Sequence, residues 1–225
     1  MKRLHEIDAL RGIAIVAMLF FHFLFDLDFL GVVSLDLFEG AWLVFARITQ
    51  FLFLGLVGAS VAFSSRGFQG QLKRGAIIFS LGMLVTLVTW IFSPENFVKF
   101  GVLHFIGVAV PLVLLFKGKP LLALIAAFFA FLWGEWLLTL SVSTPWLFAF
   151  GLKAPGFNSL DYFPIFPWLA VPLVGLVIGE WYKKNQPQVL RPLGQISPLT
   201  WLGKHSLWIY LMHQPIFIGA LLLIF

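Results

Sequence analysis

Apolar segments long enough to cross a lipid bilayer recur along this 225-residue chain. A helix needs about 20 apolar residues to cross the hydrocarbon core, and its backbone hydrogen bonds are then satisfied within the segment. Charged residues make up 11% of the chain, whereas soluble domains carry roughly 25%. We therefore predict an all-α polytopic membrane helix bundle with about seven transmembrane helices, at residues 12–33, 41–63, 75–92, 100–116, 120–140, 163–181 and 205–225.

The distribution of basic residues predicts the orientation of this bundle. Lysine and arginine favour cytoplasmic loops, and with a cytoplasmic N-terminus only Lys99 and Lys153 would fall in loops on the opposite side. The cytoplasmic side would hold Lys2, Arg3, Arg66, Lys73, Arg74, Lys117, Lys119, Lys183, Lys184, Arg191 and Lys204. This bias also accounts for the net charge of +5, so the charge gives no reason to expect a nucleic-acid partner.

Two clusters of small residues predict close helix packing. Gly55 and Ala59 lie one turn apart on the second predicted helix, and Gly175 and Gly179 do so on the sixth. Small residues allow helix backbones to approach closely in membranes. The same faces could pack within one bundle or between two copies, so a homodimer stays open. No inverted repeat typical of secondary transporters is visible.

Three ionisable side chains, Arg11, His22 and Asp26, interrupt the first apolar segment. The eleven steps from Arg11 to His22 are about three full turns, so both side chains lie on one helix face about 16 Å apart. Asp26 follows one turn later, where a carboxylate could hold the imidazole and support its charged form. Because ionisable residues inside a membrane mark functional sites, we predict His22 and Asp26 as the catalytic pair, with His22 as general base. A purely structural His–Asp pair is the alternative.

Two further histidines fall in apolar segments. His104 lies near the start of the fourth predicted helix. The predicted topology places it on the outer side of the membrane, where His22 is also predicted to lie. His213 precedes Pro215, which lacks a backbone N–H and leaves a carbonyl free to line a polar cavity. Either histidine could help to bind the substrate from which His22 removes a proton, the acceptor. Each could instead simply join helices by hydrogen bonds.

Arg47, Asp161 and Tyr162 are further candidates for binding or supporting the acceptor. Arg47 lies on the second predicted helix and, if buried, would need a carboxylate such as Asp26 or Asp161. Asp161 and Tyr162 precede the sixth predicted helix, and prolines in that segment predict an irregular entry. The two side chains could reach a substrate, or Asp161 could cap that helix.

The cytoplasmic mouth of the predicted bundle gathers cationic residues that could hold phosphate groups. Arg11 would be joined there by Arg74, Lys204 and His205, and arginine offers a forked, charge-assisted set of donors. Topology already explains these cations, and no phosphate-binding loop motif is present. The chain has no cysteine and its histidines are not at metal-ligand spacing, so no metal site is predicted.

Five segments together resemble the catalytic-domain family of heparan-α-glucosaminide N-acetyltransferases, in its bacterial branch. They are Ile7–Gly12, His22–Leu27, Phe100–His104, Asp161–Trp168 and Gly203–Pro215. The chain also resembles the wider transmembrane acyltransferase superfamily, in which an arginine and a histidine separated by ten residues form a signature on the first helix. Here these residues are Arg11 and His22.

The resemblance implies one transmembrane acyltransferase domain over residues 1–225, in the bacterial inner membrane. It implies that acetyl-coenzyme A binds from the cytoplasm, with Arg11 at the coenzyme and His22 as general base or acetyl carrier. Eukaryotic members have asparagine in place of His22 and an active histidine in the following loop, but this chain has no histidine from 23 to 103. We therefore expect direct transfer in a ternary complex, to an amino or hydroxyl group of an extracytoplasmic sugar or glycan.

Two other functions use the same residues. A proton-coupled transporter of a small molecule or anion would use the histidines and Asp26 as a relay, with no coenzyme site. A non-catalytic membrane partner of another envelope protein would use them as structural groups. The resemblance places the acetyltransferase first.

Overall fold

The structure, a computed structural model, describes residues 4–225 except for the side chain of Pro145. The chain forms helices joined by turns and irregular segments, with single 3₁₀ turns at Pro145–Phe150 and Gln188–Leu190. The helices are α1 (His5–Phe29), α2 (Gly40–Phe63), α3 (Phe68–Phe92), α4 (Val102–Leu114), α5 (Pro120–Leu138), α6 (Ile165–Trp168), α7 (Ala170–Asn185), α8 (Arg191–Gly194), α9 (Ser197–Lys204) and α10 (Ser206–Ile224).

Six segments are long and apolar enough to cross a membrane: α1, α2, α3, α5, Ile165–Asn185 and α10. The seventh predicted span corresponds to α4, which has 13 residues and a length of about 20 Å. Ten of its residues are buried, so α4 is enclosed by protein, which removes the need to match the bilayer thickness. The all-α membrane fold is therefore confirmed, with six long spans and one short apolar helix. The cytoplasmic N-terminus stays a prediction.

The described residues divide into two compact units. The first unit comprises residues 4–56 and 187–225, and so contains α1, α8, α9, α10 and the first part of α2. The second unit comprises residues 57–186 and contains α3 to α7 and the rest of α2. Helix α2 is thus shared between them.

In the first unit, α9 lies directly against α1 at two glycines. A Cβ on Gly203 would collide with the carbonyl oxygen of Asp8, and a Cβ on Gly12 would collide with that of Leu199. The predicted connection at 183–204 therefore contains short helices that pack on the first span. Helix α1 also begins at His5, seven residues before the predicted start, so Asp8 and Arg11 are both helical.

In the second unit, glycines set the distances between neighbouring helices. A Cβ on Gly58 would collide with the carbonyl oxygen of Pro172, and a Cβ on Gly179 would lie 2.7 Å from the Ala59 Cα. The predicted close packing is confirmed for Ala59 of α2 and Gly179 of α7, but not for Gly55, which has no described atom within 4 Å of its Cβ position. A homodimer stays a prediction.

Helices α3 and α4 meet in the same unit at Gly75, where a Cβ would collide with the carbonyl oxygen of Gly107. That carbonyl has no helical donor, because Pro111 stands four residues later and lacks an N–H. The hydrogens of Gly75 on α3 therefore face the Gly107 carbonyl oxygen, which has no hydrogen-bond donor within α4.

Candidate functional site

His22 lies on α1 with one ring nitrogen fixed by the backbone. Its Nδ1 is 2.9 Å from the carbonyl oxygen of Met18, one turn earlier. A carbonyl only accepts, so Nδ1 carries the proton in the neutral ring and Nε2 carries the lone pair. The helix thereby presents Nε2 as the basic atom of His22.

His213 on α10 contacts His22 directly. The two ring centroids are 4.8 Å apart and the ring planes lie at 82°. His213 is 6% exposed, its Nδ1 is 2.6 Å from the carbonyl oxygen of Tyr210, and its buried Nε2 has no hydrogen-bond partner among the described residues. Both histidines therefore have the same tautomer, with Nδ1–H bound to the preceding turn and Nε2 as a base.

Asp26 follows His22 by one turn on α1. Asp26 is 2% exposed, and its Oδ2 has no partner within the described part of the chain. The first unit thus carries the half-buried His22 and the buried Asp26 on α1 and the buried His213 on α10.

The expected hydrogen bond between His22 and Asp26 is not formed in residues 4–225. The physical reason is the direction of helical side chains, whose Cα–Cβ bonds tilt towards the N-terminus. His22 leans back onto Met18, whereas Asp26 lies on its C-terminal side.

Arg11 is paired with Asp8 near the start of α1. Arg11 Nη1 donates to Asp8 Oδ1 over 2.7 Å, and the side chains are 25% and 3% exposed, respectively. The separation of three residues places both on one helix face. The sequence prediction missed Asp8 because it started the helix at residue 12.

Lys204 and His205 lie at the same end of the first unit as this ion pair. They follow Gly203, which packs on Asp8, and both are exposed. His205 Nδ1 donates to the Trp201 carbonyl over 2.9 Å, and its ring lies 4.6 Å from the Trp201 ring. Three of the predicted coenzyme-binding residues are therefore grouped, while Arg74 is half-buried on α3 in the second unit.

Basic side chains also mark one end of the second unit. Lys117 Nζ donates to the Ser64 carbonyl over 2.5 Å, and Gly118 N donates to Glu180 Oε1 over 2.6 Å. Burial and the nearby charge of Lys183 lower the pKa of Lys117, while Glu180 acts in the opposite direction. These contacts tie the turn after α4 to the C-terminal end of α2 and to α7.

His104, a candidate acceptor residue, is occupied on both ring nitrogens. Gly101 N donates to His104 Nδ1 over 3.2 Å, which places the proton on Nε2. That nitrogen lies 3.3 Å from Thr86 Oγ1, and the threonine hydroxyl donates to the Val98 carbonyl over 2.7 Å. His104 is 1% exposed, so the structure favours the helix-joining alternative for this residue.

Asp161 and Tyr162 also make structural hydrogen bonds. Asp161 Oδ2 accepts from Val102 N over 2.8 Å, so it caps α4, whereas the sequence alternative was a cap on its own following helix. Tyr162 donates its hydroxyl to the Phe148 carbonyl over 2.7 Å. Burial raises the pKa of Tyr162 above its ordinary value of 10.0.

Arg47 is exposed on α2, so the condition of burial on which its carboxylate pairing was predicted does not hold. Its Nη1 donates to Gln50 Oε1 over 3.2 Å. Across the described residues, no group of three histidine or acidic side chains is arranged to hold a metal ion.

These features define a class of protein: a helical membrane protein whose spanning helices carry two imidazoles in contact, one half-buried and one buried, and a buried carboxylate. The catalytic domain of heparan-alpha-glucosaminide N-acetyltransferase is the family whose model matches this chain, over residues 3–215. The chain belongs to that family, which makes it an acetyltransferase-type membrane protein. No curated protein and no solved structure gives a significant match.

Proposed function

We propose that this protein transfers the acetyl group of cytoplasmic acetyl-coenzyme A to an amino group of an extracytoplasmic sugar or glycan. The bacterial inner membrane is the proposed location. The observation that carries the proposal is the contact between the His22 and His213 rings, with Asp26 one turn after His22 and the buried His213 Nε2 and Asp26 Oδ2 without partners among the described residues. The family membership supports acetyl transfer as the reaction.

The hydrogen-bonding capacity of these three residues favours an amine over a hydroxyl as the acceptor. The atoms without partners, Asp26 Oδ2 and His213 Nε2, are acceptors, and the assigned tautomer makes His22 Nε2 an acceptor as well. An ammonium group offers three N–H donors, whereas a hydroxyl offers one. A buried carboxylate is also stabilised by a cationic partner.

In the proposed reaction, His22 Nε2 removes one proton from the acceptor ammonium. The neutral amine then attacks the thioester carbonyl, forming the C–N bond while the C–S bond breaks. The second amine proton goes to the coenzyme thiolate, and His22 later releases its proton to solvent. General-base catalysis of this kind contributes typically 10²- to 10⁴-fold in rate.

The coenzyme would be held at the end of the first unit that carries Arg11, Lys204 and His205. Arginine and lysine suit the phosphates of the coenzyme, and both Lys204 and His205 are exposed there. The Asp8 carboxylate would keep the Arg11 guanidinium in position.

The test is acetyl transfer by the purified protein in liposomes, with labelled acetyl-coenzyme A as donor and glucosamine as the probe acceptor. Glucose, which has no amine, is the matched acceptor control. We expect acetylglucosamine from the wild type, a loss of at least 10²-fold in kcat for His22→Gln, and retained binding of acetyl-coenzyme A. His5→Gln is the control variant, because His5 is exposed at the start of the same helix.

The acetyltransferase proposal fails if folded wild-type protein neither binds acetyl-coenzyme A nor acetylates glucosamine. A proton flux through the liposomes that depends on His22 and His213 but not on acetyl-coenzyme A would instead support the transporter alternative. Equal transfer to glucose and glucosamine would contradict the preference for an amine.

A further inference from the structure

An apolar groove of about 560 Å³ runs along α5 in the second unit. Ala126 and Ala130 lie one turn apart on its floor, and Phe129 and Trp133 form its rim. Ala130 is 5% exposed, whereas Phe129 is 62% and Trp133 52% exposed. The small side chains thus leave a furrow between large ones, and its volume is within the range of sites that hold a single ligand.

The other lining residues come from the turn after α4, from α6 and from the start of α7. They include Phe116, Phe166 and Leu173. Phe166 has an extended backbone that interrupts the helix. A Cβ on Gly134 of α5 would collide with the backbone of Pro167, so α5 is held against this interrupted segment and the groove has a fixed wall.

Lysines gather at the end of the groove that Phe116 lines. Phe116 is followed directly by the turn 117–119, which has a lysine at each end. Gly118 N donates to Glu180 Oε1 over 2.6 Å, which joins the turn to α7, and the last turn of α7 adds two further lysines. The Glu180 carboxylate offsets one of these four positive charges. The lysines are Lys117, Lys119, Lys183 and Lys184.

We infer that this groove binds one acyl chain of a phospholipid whose anionic headgroup lies at the lysines. Basic pockets between transmembrane helices bind the anionic headgroups of lipids, and an acyl chain matches the apolar lining. From Pro120 to Ala130 the helix rises about 15 Å, which is half of the roughly 30 Å hydrocarbon core. A chain anchored at the lysines therefore reaches Trp133 within its own leaflet.

The shape of the groove favours a lipid chain over a second copy of the protein. Helices that pack together in membranes do so at small residues, and Gly134 and Gly179 are already packed within this unit. The rim of the groove is instead aromatic, and the rings of Trp133 and Trp136 lie 4.9 Å apart. A flexible chain fits between such side chains, whereas a helix is too wide for the furrow.

The test is photolabelling of the detergent-purified protein with phosphatidylglycerol that carries a diazirine midway along one acyl chain. Phosphatidylcholine with the same chains is the control lipid, because its headgroup has no net charge. Mass spectrometry of peptides locates the label. We expect phosphatidylglycerol to label α5 near Ala126 and Phe129 with saturation, and phosphatidylcholine to label this segment only weakly.

Removing the lysine charges is expected to weaken the binding of phosphatidylglycerol. Lys119→Gln and the double variant with Lys183→Gln should each raise the concentration for half-saturation by about fivefold for each lysine removed. Both lysines are exposed, so the fold does not depend on them. Lys73→Gln is the matched control, since Lys73 is exposed on α3, which contributes none of the described lining residues.

Filling the groove tests the position of the acyl chain. In Ala126→Trp the new side chain occupies the furrow, and labelling at Phe129 should fall to the level seen with phosphatidylcholine. Ile125→Trp is the control, because Ile125 is 44% exposed and is not among the described lining residues. Phe129→Ala opens the rim at an exposed position and should weaken saturation severalfold. Thermal melting in detergent identifies any variant that fails to fold.

The inference is overturned if folded wild-type protein takes up both lipids equally in the groove, or if the double lysine variant binds phosphatidylglycerol as the wild type does. A dimeric protein whose groove stays unlabelled would also overturn it, because a second copy would then cover this surface. These readouts do not depend on acetyl transfer, so they remain distinct from a failure of the proposed function.

Discussion

Tyr162 shows how a polar side chain in an irregular segment is fixed by its surroundings. Its hydroxyl donates to the Phe148 carbonyl, its ring lies 4.9 Å from the Phe157 ring, and Lys153 Nζ lies 4.8 Å from its centroid. These contacts join residues 148–162 into one packed segment. Asp161 adds the cap on the first residue of that helix.

The raised pKa of Tyr162 predicts a change of stability at alkaline pH. The unfolded chain loses the phenolic proton near the ordinary pKa of 10.0, whereas burial keeps the folded form protonated to higher pH. The folded state then binds more protons, so the free energy of unfolding falls as pH rises above about 10. Below that pH the contribution of Tyr162 to stability is fully present.

Tyr162→Phe is therefore expected to lower stability by about 1 kcal/mol at pH 8, through loss of the hydrogen bond to Phe148. The difference between wild type and variant should shrink above pH 10. Thermal melts from pH 8 to 11 measure this, and a difference that grows with pH would contradict the assignment.

At the scale of single residues, the sequence predicted the ionisable side chains that interrupt an apolar segment. It missed side chains whose role depends on a contact with another residue. His22 and Asp26 stand out because ionisable residues are costly in a membrane. Asp8 acquires its role only from its contact with Arg11. The partners of His104 likewise come from α3 and the preceding turn, which no spacing along one helix could reveal.

At the scale of helices, one position on α2 fixes its approach to α7. The Cβ of an alanine at Gly58 would collide with the Pro172 carbonyl oxygen and lie 2.8 Å from Leu176 N. Both contacts are with backbone atoms, so no side-chain rotation can relieve them. Gly55, one turn earlier, has no described atom within 4 Å of the corresponding position.

We expect Gly58→Ala to destabilise the protein by about 1–3 kcal/mol, as overpacking does elsewhere. Gly55→Ala is the matched control and should leave stability unchanged or slightly raised, since alanine favours a helix more than glycine does. Denaturation of both variants in the same detergent provides the comparison. Equal stability of the two variants would show that α2 and α7 can separate without cost.

Hydropathy predicted the long helices well, but it could not predict the shorter elements. It gave α4 as a full span, because a buried core helix and a lipid-exposed helix have the same apolar composition. It also left α8 and α9 within a connection, because eight residues around Gly203 cannot cross a bilayer. Their position comes from packing on α1, which is not encoded in local composition.

For the whole molecule, the predicted topology places residue 119 in the cytoplasm and residue 155 outside. The protein has no cysteine, so Lys119→Cys and Pro155→Cys each introduce a single reactive thiol at an exposed position. In intact cells, an impermeant maleimide should label only Pro155→Cys. After the membrane is opened, both variants should react.

Labelling of Lys119→Cys in intact cells would mean that α4 does not cross the membrane or that the bundle is inverted. In either case α5 would carry residue 155 to the cytoplasmic side, so protection of Pro155→Cys in intact cells would accompany that result and contradict the predicted topology. The basic residues near α5 and α7 make the predicted orientation the favoured one.

The first unit combines residues 4–56 with residues 187–225, so its two parts are synthesised at the beginning and at the end of translation. A nascent chain inserts His22 early, but His213 follows only after nearly all the other helices have been made. The support that α9 gives to Asp8 arrives equally late. Membrane chains interrupted during translation therefore carry Arg11 and His22 without His213, and we expect such fragments to leave acetyl-coenzyme A intact.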